Sequence, residues 1–292
     1  MFNTKNGKFK IAELSNGTEL FINTDHSDGN FNNLVCKHET LQPTVETREN
    51  QTSTVLCIGI KGSGKSKYVA HFMEEFRREF GRKSKIILFT RLREDDDDPA
   101  FKSIKDIVKV SIDDDFDVES EELFSKGEKG ERVNSGGYVN KLIVFDDWSV
   151  SHKPKLETRV FSLVNDVVDN HRKHALHTII CSTSVDPKQG YVRRLLNNLS
   201  QIVFFKKSST TSTIYGILND YFGLSEEFIK DLIKTCDSEW FCAGRIPVTY
   251  ILWEKGGLIY NEMEEHERIK AKKAKLKKEK PNFDLADVSP FK

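Results

Sequence analysis

The sequence predicts an α/β fold with a mostly parallel central sheet flanked by helices, and three observations lead there. Short apolar runs rich in β-branched residues recur at Val55–Ile58, Lys85–Phe89, Leu142–Phe145, Thr178–Cys181 and Ile202–Phe205. Stretches with helical spacing separate most of them, and such alternation specifies parallel strands joined by right-handed crossovers. Between the first run and the first helical stretch stands GIKGSGKS, residues 59–66, which fits the phosphate-cradling pattern G-x-x-x-x-G-K-[ST].

Strand, glycine loop and helix are the setting that this P-loop motif requires. In it the backbone N–H groups of Gly62 to Lys65 point at a phosphate chain, and the helix N-terminus adds partial positive charge. Gly59, Gly62, Ser63, Gly64, Lys65, Ser66 and Lys67 are therefore the expected nucleotide-binding residues. Lys65 is expected to reach the β- and γ-phosphates, and the Ser66 hydroxyl to ligate Mg²⁺.

Residues 1–50 read as a polar N-terminal appendage holding a hairpin, in which Phe9–Leu14 and Thr18–Ile22 flank the Asn16-Gly17 turn signal. Residues 51–260 form the expected ATPase domain. After the second strand comes the acidic run Glu94 to Asp98, read as a solvated loop because adjacent carboxylates do not preset octahedral Mg²⁺ geometry. The insertion through Asp113–Asp115 and Gly127–Gly137 reads as surface loops around one helix. Helices are expected near 155–170, 190–198, 212–221 and 225–236, the last opened by a Ser-x-Glu cap, with a late strand over 246–253. Residues 261–292 form a basic, disordered tail in which Glu264 to Lys280 hold eight basic and four acidic residues. That stretch is a candidate for contact with a phosphate backbone.

Composition narrows the function classes. Lys+Arg and Asp+Glu both number 45, so the body as a whole has no net charge to attract DNA or a membrane, and electrostatic work falls to local patches. The five cysteines show no paired C-x-x-C spacing and read as reduced thiols of a cytosol-like compartment. MFNTKNGKFK lacks a signal-peptide core, and no apolar run approaches the roughly 18 residues of a membrane span. A soluble, intracellular protein without a membrane partner is expected. His171, His174 and His177 lack a carboxylate or Cys partner in register, so no zinc site is expected.

Asp146 and Asp147 end the third strand. Asp146 is placed to hold the Mg²⁺ shell, and Asp147 to orient or deprotonate an attacking water. GTPase and ABC-type readings lose support because N-K-x-D and L-S-G-G-Q are missing. A nucleotide or polynucleotide kinase with a lid drawn from Arg91 and Arg93 remains open, as does an ATP-dependent assembly switch. Ser182-Thr183-Ser184 ends the fourth strand.

This order of pieces resembles the additional-strand P-loop NTPases, which implies the sheet order 5-1-4-3-2 for the five runs. More specifically, NHRKHALHTIICSTSVDPKQGYVRRLLNNLSQIVFFK, residues 170–206, resembles the third block of A32-type viral genome-packaging ATPases of the FtsK–HerA group. His174 matches the family histidine, Ser184 falls where a sensor Gln is usual, and Arg193 or Arg194 with Asn197 resembles the Arg-Asn element. Lys173 separates Arg172 from His174, a departure from the family's Arg-His pair. The resemblance spans about residues 50–206 and implies a homo-oligomeric ring that hydrolyses ATP with Mg²⁺ to drive double-stranded DNA into a preformed capsid. A capsid vertex protein is a further implied partner, and the host cytoplasm or virus factory, and the virion, are implied locations. Catalytic roles fall on Lys65, Asp147, Ser184, Arg193 and Arg194, with one arginine, or Arg172, reaching a neighbouring subunit's γ-phosphate.

Overall fold

All five apolar runs form strands. The computed structural model describes residues 1–271 apart from 6, 8, 24–31, 49–50, 82–83, 93–97, 128–132, 149–152, 184, 186–189, 206–209, 246, 262–264, 266 and 268–269. Strands β1 (Phe2–Asn3), β2 (Phe9–Leu14), β3 (Glu19–Ile22), β4 (Asn33–Val35) and β5 (Leu41–Pro43) come first. The central stretch runs β6 (Thr54–Ile58), α1 (Lys65–Phe80), β7 (Lys85–Thr90), β8 (Ile107–Ser111), β9 (Lys141–Phe145), α2 (Pro154–Asn170), β10 (Leu176–Ser182), α3 (Gly190–Asn198) and β11 (Gln201–Phe205). Helices α4 (Thr211–Phe222) and α5 (Glu226–Thr235) then lead into β12 (Trp240–Gly244), β13 (Tyr250–Trp253) and β14 (Gly256–Ile259).

The main sheet has ten strands in the order β4-β14-β13-β12-β11-β6-β10-β9-β7-β8. From β11 to β8 every ladder is parallel. Counting the five expected strands in chain order, their arrangement is 5-1-4-3-2, as the resemblance implied. Both faces are covered. Val55, Cys57, Ile86, Leu88, Leu142 and Val144 share a core with Tyr68, Val69, Phe72, Met73 and Phe76 of α1. Their alternates Leu56, Ile58, Ile143 and Phe145 are buried on the other face, where α2 packs on β10 and α3. Burial on both sides explains why these strands read as continuous apolar runs rather than alternating ones.

Three elements differ from the sequence reading. The insertion contributes β8, a sixth parallel strand beside β7, and its described residues hold two short 3₁₀ turns and no α-helix. Its pattern Ile107-Val108-Lys109-Val110 is short and enclosed by charged residues, so the acidic surroundings masked a strand that depends on pairing with β7. The late strand is shorter, Tyr250–Trp253, and is the centre of an antiparallel meander with β12 and β14. Residues 1–45 are more closely built in than the hairpin alone suggested. β2 and β3 pair as expected, and β1 and β5 complete a four-stranded sheet. Its Phe2, Ile11, Leu20, Ile22 and Leu41 enter the same core as α1, while β4 pairs with β14 of the main sheet. Arg78 on α1 bonds Glu13 at 2.6 Å, and Lys10 bonds Glu19 at 2.7 Å and Glu79 at 3.4 Å.

The chain divides into two units, Met1–Ile259 and Tyr260–Lys292. Of the second, only residues 260, 261, 265, 267, 270 and 271 are described, so most of the basic stretch lies outside the described residues. Among the described residues no helix is long and apolar enough to cross a membrane.

The helix ends follow local chemistry. Ser225 caps α5 by accepting from the Phe228 N–H at 3.2 Å, and Thr210 does the same for α4 through the Thr213 N–H. His177, on β10, is fully buried against Phe76 and Phe80. Its Nδ1 accepts from the Ser53 N–H at 3.2 Å, which leaves the proton on Nε2, 3.4 Å from Asn140 Oδ1. Burial, aided by the charge of His171, pulls its pKa from 6.5 to about 3. An unfolded histidine takes its proton near pH 6.5 while the folded one stays neutral, so stability is lost as pH falls through 6.5 toward 3. From pH 7 to about pH 5 this residue alone costs roughly 2 kcal/mol. Urea unfolding midpoints should fall over that range, and His177→Gln should flatten the dependence whatever it does to stability at pH 7.

Candidate functional site

The loop after β6 turns into α1 through two glycines in the left-handed region, Gly62 at φ 77° and Gly64 at φ 102°. Gly64 occupies the N-cap position and its carbonyl accepts the first helical bond, from the Tyr68 N–H at 3.0 Å. A Cβ at residue 64 would lie 3.5 Å from the Phe205 ring, an ordinary contact, so the demand for glycine comes from the backbone angle. Gly59 donates its N–H to Ser182 O at 3.0 Å, stitching the loop's start to the end of β10. The Ser63 N–H donates to Ile60 O at 3.2 Å within the loop. Lys65 folds over the loop, its Nζ donating to the carbonyls of Gly59 at 2.5 Å and Ile60 at 2.9 Å.

These residues border a cleft of about 550 Å³ at the C-terminal ends of the parallel strands. Gly62, Gly64, Lys65, Ser66 and Lys67 form one wall, and Asp146, Asp147, Cys181, Ser182 and Thr183 another. The parallel order explains the meeting, because β10 lies between β6 and β9 and brings the ends of all three to one edge. Asp98, the last residue of the acidic run, also lines the cleft; its side chain caps a 3₁₀ turn by accepting from the Ala100 N–H at 2.9 Å. The sequence reading of that run as solvated loop did not single out Asp98, and Asp98 is the one member of the run that is described.

Asp146 is 5% exposed, with its N–H bonded to Phe89 O at 2.9 Å. Burial raises its pKa, opposed by the Cys181 thiol donating to it and by the charge of Lys65, and reinforced by Asp147 and Asp98. A buried carboxylate facing an ammonium, with the Ser66 hydroxyl in the same cleft, is an oxygen donor set suited to Mg²⁺. Asp147 is exposed in the cleft and adopts φ 48°, uncommon for a residue with a Cβ. The turn is pinned just beyond it by Trp148, whose Nε1 donates to Cys181 O at 2.7 Å.

The remaining candidates lie elsewhere or outside view. Ser184 and Arg93 fall outside the described residues, while Ser182 and Thr183 of the same strand end line the cleft. Arg193 and Arg194 are exposed on α3 and are not among the residues bordering their own chain's cleft. Arg194 is paired with Asp169 of α2, and Asn198 donates to the same carboxylate at 3.1 Å. Arg172 stands at the opposite edge of the sheet, in a smaller cavity with Arg48, Thr52 and Asn140. His174 stacks on Phe124 with ring centroids 3.6 Å apart, and His171 is buried with its Nδ1 against Val168 O. Among the described residues no group of three or more His, Cys, Asp or Glu side chains is gathered as a metal site, and all five cysteines are buried and free.

The core is an additional-strand P-loop NTPase fold. That rests on the strand order together with the glycine loop at the end of the central strand. No protein-family model matches the chain. A curated relative, "Uncharacterized protein V3" of Sputnik virophage, is 24% identical over 251 residues, 86% of this chain and 91% of the relative. Among solved structures, the cytoplasmic domain of the Thermomonospora curvata type VII secretion ATPase EccC is similar with TM-score 0.43 and 13% identity. That match covers 86% of this chain and only 28% of that domain. The genome packaging NTPase B204 of Sulfolobus turreted icosahedral virus 2, in complex with ATP-gammaS, gives TM-score 0.43 and 17% identity over 70% of this chain and 96% of B204. At such scores the structural likenesses add nothing to the strand order and loop geometry of this P-loop NTPase fold.

Substituting Gly64 tests the loop. Gly64→Ala places a Cβ on a left-handed backbone, at roughly 1–2 kcal/mol. The thermal midpoint should fall and affinity for a nucleoside triphosphate, measured by calorimetry, should drop, whereas Gly81→Ala beyond the end of α1 should affect stability alone.

Proposed function

We propose that the protein is a Mg²⁺-dependent ATPase that works as a ring-shaped homo-oligomer to translocate double-stranded DNA during viral genome packaging. The observation that carries the enzymatic part is the meeting of Lys65 and Ser66 with Asp146 and Asp147 across one cleft. Loop amides and Lys65 hold the phosphate chain and offset charge that develops on it in transfer. Ser66 and Asp146 would hold Mg²⁺, which supplies further neutralisation of phosphate charge. Asp147, exposed to the cleft and beside the buried Asp146, orients a water for in-line attack and accepts its proton. Support for the packaging role comes from the resemblance of residues 170–206 to the A32-type block, and a relative from a virophage agrees with a viral setting. Arg193 and Arg194, exposed and outside their own cleft, suit a role toward a neighbour's nucleotide, and release of Arg194 from Asp169 would be part of that step. A capsid vertex protein is the expected docking partner.

ATP turnover measured with and without double-stranded DNA, alongside oligomeric mass, tests this reading. Turnover should rise several-fold with DNA and the mass should exceed a monomer; a strictly monomeric ATPase indifferent to DNA refutes the motor. Asp147→Asn should retain ATP binding while turnover falls by about 10² or more, and Lys65→Ala should lose both. Phosphate transfer to a nucleoside or a 5′-hydroxyl end in preference to water would instead establish a kinase.

A further inference from the structure

Two cavities meet at the phosphate loop. The cleft described above lies on its β10 side, with the paired aspartates at its far wall. A second cavity of about 250 Å³ lies on the β11 side and is bordered by Ile60, Ser63, Phe205 and Glu239. Lys61, Gly62 and Gly64 border both, so a single ligand threaded over the loop can occupy the two together.

Resting on the reading of the larger cleft as a triphosphate site, we propose that the smaller cavity receives the nucleobase and selects one bearing an exocyclic amine, with Glu239 as the specificity-determining residue. A triphosphate whose terminal phosphate faces Asp146 and Asp147 must leave the loop on the other flank, and this cavity is what lies there. Its walls have the right character. Phe205 is 2% exposed and locked edge-on against Tyr68, with ring centroids 6.2 Å apart. Ile60, by contrast, is 54% exposed, a large aliphatic side chain held at the cavity's border. A flat heterocycle seated here covers the exposed Ile60 side chain, on a cavity border that Phe205 already closes with an apolar ring.

The polar groups are equally placed. Phe205 pairs with Trp240 in the antiparallel β11–β12 ladder, which fixes Glu239, one residue before Trp240, just beyond the C-terminal end of β11. A carboxylate accepts hydrogen bonds and donates none, so it favours a base edge carrying N–H donors. Adenine presents an amine, as do guanine and cytosine, whereas an unsubstituted purine presents none. Ser63 also borders the cavity, and its Oγ is buried with no hydrogen-bond partner among the described residues. A buried hydroxyl without a partner carries a desolvation cost that a sugar or base polar atom would relieve.

Steady-state hydrolysis of ATP, GTP and CTP is compared with that of purine riboside triphosphate, which keeps the purine rings and lacks the amine. ATP should show a KM about fivefold or more below that of purine riboside triphosphate, the worth of one hydrogen bond to a charged acceptor. Glu239→Ala should raise the KM for ATP to the level of the analogue, leave the analogue's KM unchanged and keep kcat within about twofold. Equal KM values in the wild type, or an unchanged ATP KM in Glu239→Ala, overturn the proposal. GTP or CTP, rather than ATP, as the preferred substrate would keep Glu239's role and change only the base. Failure to hydrolyse any triphosphate counts against the ATPase reading instead, and the same comparison is then made on dissociation constants, with the same two outcomes deciding.

Discussion

The bond from the Gly59 N–H to Ser182 O and the parallel ladders on either side of β6 set the frame in which everything else acts. With β6 held between β10 and β11, the glycine turn that follows must emerge at the strands' C-terminal edge, where α1 begins and points its amide end at the cleft. The same pairing brings the end of β9 within reach, because β10 is its neighbour as well. Had β6 and β9 been adjacent, no strand end would separate the loop from the aspartates, and the polar groups of Ser182 and Thr183 would have no place in the wall. The cleft is thus a product of strand order.

Electrostatics follows from that geometry. Asp146 pays for its burial with a raised pKa, and the nearby Lys65 and Cys181 partly offset the shift. Its neighbour Asp147 escapes burial because the chain turns into the left-handed region at that residue and Trp148 then anchors the backbone to β10. Two adjacent carboxylates therefore occupy different environments, one desolvated and one wet, which suits the division between cation holding and water handling proposed for them.

How far the sequence disclosed this can be read from particular residues. The five central strands were legible because burial on both faces leaves uninterrupted apolar runs, and the glycine motif supplied their relation to the cleft. Ser225 announced the start of α5 through a local hydrogen bond, a signal carried within four residues. β8 was not legible, since Lys109 and the flanking aspartates outweigh three apolar residues whose packing comes from β7, far from them along the chain. The part played by the N-terminal strands was hidden for a related reason. Leu20 and Ile22 alternate as in any half-buried hairpin, and nothing local says that their buried side, or Phe2 beside it, meets α1. Glu239 and Ile60 were passed over because their interest arises only when β12 folds back beside β11. Among the singled-out arginines, sequence placed Arg193 and Arg194 on a helix correctly but could not disclose the Asp169 carboxylate that holds Arg194.

The enclosure of α1 has a mechanical consequence. The helix shares one core with the main sheet and with the small N-terminal sheet, and ion pairs from Arg78 to Glu13 and from Glu79 to Lys10 tie its last turn to the N-terminal strands. A helix packed along one face and tied at its last turn is held against bending. The 16-residue helix thereby links the glycine turn at its start to the strands at the beginning of the chain. The N-terminal sheet is in that sense the far end of the phosphate loop.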